Sequence, residues 1–152
     1  AFDLRVEPFP NMMLGVMEHC DENHAHMERK NIHEYHANGV NNISALVLYY
    51  ETEEELRNAL KAIHRLHDTM RDHADAGYYT KEVRLVDKKA YEKEFGVEAP
   101  HIQSNVVAVE FKNGDLDYIR GQAEKYGYSH FEKNGKLYVD GREALNAFLI
   151  FK

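Results

Sequence analysis

The sequence predicts an α+β fold: a single domain with a mixed or antiparallel sheet, helices on one face, and ferredoxin-like character. Three observations carry that prediction. Two short apolar runs, NISALVLYY and NVVAVEF, read as buried strands, and each leads into a capped helical stretch. The third is Asn134-Gly135 between two short strand-like runs, the strongest short-range hairpin signal. Strand-helix-strand over 43–86 and strand-helix-hairpin over 105–139 read together as two related α/β units.

In chain order, Asp3 to Glu7 alternates as a short strand, and Pro8-Phe9-Pro10 ends it because proline cannot donate to a ladder. From Asn11, Met13, Val16, Met17, Cys20, His24 and Met27 recur at three-or-four spacing, which predicts a helix, in one or two pieces, closed at Asn38-Gly39. A buried strand is expected at Ile43 to Tyr50. Thr52 to Glu55 then forms a capping box in which Thr52 accepts from first-turn amides and Glu55 reaches back. The helix it opens carries one apolar stripe, Leu56, Ala59, Leu60, Ile63, Leu66, Met70 and Ala74, and ends near Gly77. Tyr78 to Val86 reads as strand and Lys88 to Phe95 as a helix stopped by Gly96. Asn105 to Phe111 is the second buried strand, and Asp115 caps a helix that ends at Gly127. Tyr128 to Phe131 and Lys136 to Val139 flank the hairpin turn. For the last segment, a helix capped by Asp140 with Glu143 is favoured over a strand at Ala147 to Phe151, although periodicity does not decide between them.

A chain of 152 residues without a Pro/Gly/Ser-rich linker fits a single domain, 1–152, with a His-rich helical segment 10–38 packed on an α+β core 43–152. Apolar residues are 43% and charged residues 30% of the chain, ordinary globular values. No apolar run approaches the roughly 18 residues of a membrane span, and AFDLRVEPFP lacks the layout of a secretory signal. A lone cysteine favours a reducing, cytoplasmic setting. The formal charge of −7 disfavours nucleic acid, which leaves a small molecule or a protein as partner, with homo-oligomerisation open. Ten histidines make the acidic surface pH-sensitive.

The chemistry concentrates in Glu18 to His36, which holds His19, Cys20, His24, His26, His33 and His36. In a helix, Cys20 and His24 fall on the apolar side, where a buried imidazole needs a hydrogen-bond partner or a metal. His67, within the stripe of the following helix, is their expected companion: a thiolate and two imidazoles suit Zn²⁺ with water in the fourth position. The outward alternative is His19, Glu22 and His26, suited to Zn²⁺ or Fe²⁺, with His33 or His64 as further ligands. Either set would activate water, and a small metal-dependent enzyme is the function expected first. The plainer reading is a solvated polar face, a satisfied core His67 and an inert Cys20. The function that goes with it is a non-enzymatic ligand- or protein-binding regulatory module. HEYH is not HExxH, no CxxC occurs, and no GxGxxG, GxxxxGK[ST] or GxSxG supplies another chemistry. The basic group Lys81, Arg84, Lys88, Lys89 and Lys93 near Tyr78, Tyr79 and Tyr91 is interspersed with carboxylates and reads as ordinary charged surface.

Overall fold

The computed structural model describes residues 2–9, 12–18, 36–40, 42–72, 82–100, 106–112 and 114–152, with side chains at all of these but 2–4, 13–18, 66, 67 and 69–72. The protein is α+β. Among the described residues it has four helices, a two-stranded hairpin of β1 (Phe2–Phe9) and β2 (Met12–Glu18), and a six-stranded mixed sheet in the order β4 (Glu82–Val86), β3 (Asn42–Tyr49), β5 (Val106–Lys112), β8 (Ala147–Phe151), β7 (Lys136–Gly141), β6 (His130–Lys133). The chain divides into two compact units, 1–22 with 48–105 and 23–47 with 106–152.

In the first unit, β1 (Phe2–Phe9) pairs antiparallel with β2 (Met12–Glu18), Phe2 opposite Glu18 and Val6 opposite Leu14. The helix expected from Asn11 is therefore a strand over 12–18. Its apolar spacing fits a helical face, but MMLGVM is also a continuous apolar run, and the nearby partner strand claims it. Nor does Pro8 end β1. The register shifts between Val6 and Phe9, and this irregularity accommodates a residue with no amide to donate.

Helix α1 (Glu53–Asp72) starts as its capping box requires. The Glu55 amide donates to Thr52 Oγ1 at 3.2 Å, and the amides of Glu51 and Thr52 donate to Glu55 Oε2 at 2.7 and 3.2 Å. Ala59 and Ile63 are buried, but Leu60 is 41% exposed and leaves the expected stripe. It lies about 100° around the helix from Ala59, past the edge of the buried face. Leu66 and Met70 fall among the undescribed side chains, and Ala74 lies outside the described residues. The helix packs against β1.

Of the strand expected over Tyr78 to Val86, the described part is β4 (Glu82–Val86), and 78–81 lie outside the described residues. Helix α2 (Lys88–Phe95) has the predicted bounds: Asp87 accepts from the Ala90 amide at 2.7 Å, and Gly96 closes it at φ 70°. Its Tyr91 is buried between Tyr49 and Phe95, at ring-centroid distances of 6.0 and 4.7 Å, so it serves the core. Arg84 donates to both oxygens of Glu94 at 3.0 and 3.1 Å, which is the ordinary ion pairing expected of this basic group.

In the second unit, β5 (Val106–Lys112) runs parallel to β8 (Ala147–Phe151), and β8 runs antiparallel to β7 (Lys136–Gly141). β7 returns to β6 (His130–Lys133) through Asn134-Gly135, at φ 53° and 72°. Helix α3 (Leu116–Tyr126) is capped by Asp115, which accepts from the Tyr118 amide, and is closed by Gly127 at φ 74°. The carbonyl of Asn38 accepts from the Asp115 amide at 2.7 Å, tying the Asn38-Gly39 turn to this cap. Ile119 and Ala123 pack on Leu137, Val139 and Phe151, and Phe111 stacks on Phe151 at 5.3 Å.

The closing segment is both a helical turn, α4 (Arg142–Leu145), and the strand β8. The favoured longer helix fails because AFLIF has a two-sided place in the sheet, and Asn146, left-handed at φ 55°, ends the turn. Gly141 pairs with Ala147, and a Cβ there would lie 2.8 Å from the Ala147 carbonyl oxygen. Gly141→Ala is expected to destabilise the protein by about 1–3 kcal/mol, read as a lower urea midpoint with unchanged slope.

Candidate functional site

Two features of the second unit join chemistry-bearing residues: a concave apolar groove and a buried carboxylate network. The groove starts from helix periodicity. Ile119, Gln122, Ala123 and Tyr126 recur at i, i+3, i+4 and i+7 and so share one stripe of α3. Ile119 and Ala123 reach the sheet, while Gln122 and the 64% exposed Tyr126 stand at the rim. Val139 and Leu149 form the floor. The opposite wall is α4, with Ala144 and the 60% exposed Leu145. The volume enclosed is about 260 Å³.

A short helix wall needs support. Asp140 Oδ1 accepts from the Arg142 amide at 3.1 Å and from its Nε at 2.9 Å, while Oδ2 accepts from Nη2 at 2.7 Å. These hydrogen bonds hold the Asp140 carboxyl below its usual range, outweighing its partial burial. The Arg142 guanidinium also lies 5.1 Å above the Phe148 ring. The clamp fixes the turn whose outer residues wall the groove.

The network centres on Glu110, 2% exposed in the middle of β5. Lys136 Nζ donates to Oε2 at 2.6 Å and Lys152 Nζ to Oε1 at 2.5 Å. Ser44 Oγ donates to Oε1 at 3.0 Å, with the Glu110 carbonyl at 3.2 Å as second acceptor. Burial pushes the Glu110 carboxyl up, but the hydrogen bonds from Lys136, Lys152 and Ser44 outweigh it and hold its pKa at about 2. A carboxylate fully engaged in this way is structural.

The residues expected to hold a metal fall almost wholly outside the described ones. His19, Cys20, Glu22, His24, His26 and His33 are outside the described residues, and so is the side chain of His67, whose backbone belongs to α1. His64 is exposed on α1 and His36 is exposed before the Asn38-Gly39 turn. Among the described residues, no group of three or more His, Cys, Asp or Glu side chains could hold a metal ion. Among them also, no helix is long and apolar enough to cross a membrane.

Sequence reasoning passed over both features. Glu110 carried one signal, an acidic residue on the same strand face as Ala108 within an apolar run. The groove carried less, because its walls come from α3, β7, α4 and β8 and meet only in the fold. No family model matches the chain, nor does any curated protein or solved structure.

Because the folded-state pKa of Glu110 is depressed, its stabilisation is present above the ordinary carboxylate value of 4.5 and is lost as pH falls toward about 2. Urea unfolding across that window is expected to show a loss of about 2–3 kcal/mol from this group, after screening at the part-exposed lysines is allowed for. In Glu110→Gln that share of the pH dependence should be absent.

Proposed function

We propose that the chain is a non-catalytic, ligand-binding regulatory module whose second unit takes a small apolar molecule in the α3/α4 groove. The observation that carries this reading is the groove itself, an apolar concavity with Gln122 and the tyrosines Tyr126 and Tyr128 at its edges. An apolar hollow edged by a few polar groups is the usual design of a small-molecule site, where burial supplies affinity and the edge sets orientation. Size selects the occupant. About 260 Å³ holds a one- or two-ring molecule, whereas a helix of about 10 Å diameter would need a longer trough. The acidic surface, pH-sensitive through its histidines, gives the module its regulatory character, and its setting is cytoplasmic. In this reading the ferredoxin-like character comes from two related units, each built from a strand feeding a capped helix.

The probe is 2-naphthol, titrated into methyl-labelled protein. Kd is expected on the order of 0.1 mM, with shifts at the Ile119, Leu145 and Leu149 methyls. Ala144 lies on the exposed wall, so Ala144→Phe should fill the groove without lowering Tm and weaken binding by about tenfold or more. Unmoved methyl resonances at saturating naphthol would overturn the proposal.

The metal-dependent enzyme, with ligands drawn from Cys20, His24 and His67 or from His19, Glu22 and His26, separates from this reading on one measurement. A binding module purified without an affinity tag is expected to be free of zinc and iron and to keep its Tm when those ions are added. Stoichiometric metal that survives dialysis would carry the enzyme instead.

A further inference from the structure

The first unit holds a second concavity of opposite character, a cleft of about 620 Å³ between β1 and α1. From α1 it takes Asn58, Lys61, Ala62 and Arg65, whose spacing puts them on one stripe of the helix. From β1 it takes the exposed Arg5 and Glu7, two apart on one face of the strand, above buried Val6, Pro8 and Phe9. Three cations and one carboxylate thus converge beside the part-exposed Ala62, in a chain whose formal charge is −7. Arg5 and Arg65 each already make another polar or electrostatic interaction. A guanidinium presents five N–H donors in a fork, so an existing partner is compatible with an added oxyanion.

We infer that this cleft binds a small amphipathic anion, a phosphate monoester with a ring-sized apolar body, its oxyanion head between Arg5, Lys61 and Arg65 and its body against Ala62 and the alkyl stems of Lys61 and Arg65. Charge complementarity selects the head, since the cleft is locally positive and two of its three cations are guanidiniums suited to bidentate phosphate recognition. The part-exposed Ala62 and the stems of Lys61 and Arg65 select the body, because inorganic phosphate alone would leave that apolar surface wet. Scale selects a small molecule over a polyanion. A nucleic acid or an anionic membrane would bring the rest of the acidic chain against phosphates, whereas a monoester meets only the cleft.

The test is isothermal titration of the full chain with phenyl phosphate and with inorganic phosphate, using two variants that change the net charge equally. Lys61→Glu removes a cation from the cleft, and Lys89→Glu removes an exposed one on α2, away from the cleft lining. Phenyl phosphate is expected to bind more tightly than inorganic phosphate. Lys61→Glu should weaken it by about tenfold and Lys89→Glu by less than about twofold. Equal losses in the two variants would reduce the effect to net charge and overturn the proposal. So would equal affinity for the two phosphates, or no binding by the unsubstituted protein at 150 mM salt, where exposed charges are screened beyond about 8 Å. If Lys61→Glu lowers the helical circular dichroism, the pair Lys61→Gln and Lys89→Gln reads the same contrast without charge reversal.

Discussion

The second unit depends on where β8 goes. Residues 147–151 insert between β5 and β7, parallel to one and antiparallel to the other, so both edges of AFLIF are hydrogen-bonded. A strand in that position is covered on both faces. Phe148 and Ile150 are buried on one, while Phe151 joins the α3 core and Leu149 packs against it on the other. This explains a near-continuous apolar run where an exposed sheet face would show alternation. Without β8 the groove loses its floor at Leu149, and Lys152 has no fixed position from which to reach Glu110. The sheet and both features are therefore consequences of one insertion between strands distant in sequence, an arrangement that gains its reward only after loop closure.

Glu110 shows how a charge is tolerated in such a sheet. Its carboxylate is withdrawn from water, a cost that is offset only when its oxygens have partners. Lys136 and Lys152 reach it from β7 and from the end of β8 with their stems along the sheet and their ammonium groups part-exposed, so only one member of the cluster bears full desolvation. The network also checks register. A one-residue slip of β7 would put Lys136 on the opposite face and leave the carboxylate without one of its two cations, so correct strand pairing is favoured electrostatically as well as by apolar packing.

Legibility in the sequence followed the range of the interactions. Thr52 with Glu55, Asp87 with Gly96, Asp115 with Gly127, and Asn134-Gly135 could each be read because the relevant donors and acceptors lie within a few residues of one another. Met12–Glu18 was not legible as a strand, since apolar spacing alone does not separate a helical face from a run buried by a neighbouring strand, and the pairing with Phe2–Phe9 decided it. Leu60 misled for a related reason: membership of an apolar stripe says nothing about how wide the buried face is. The groove was the least legible feature, because Ala123, Val139, Ala144 and Leu149 are unremarkable apart and become a surface only when α4 is folded back by Asp140 and Arg142.

The two concave sites differ in chemistry. The described lining of the groove is largely apolar, and that of the cleft carries Arg5, Lys61 and Arg65 with Glu7. Metal chemistry would need deprotonated thiolate, neutral imidazole or carboxylate ligands. The described lining of the groove offers none of these, and the one carboxylate described in the cleft, Glu7, stands among three cations that repel a divalent ion. Ligands in the cleft would act through contacts with β1 and α1, the latter opened by the Thr52–Glu55 box, and ligands in the groove through α3, capped by Asp115, and α4, held by the Asp140–Arg142 clamp.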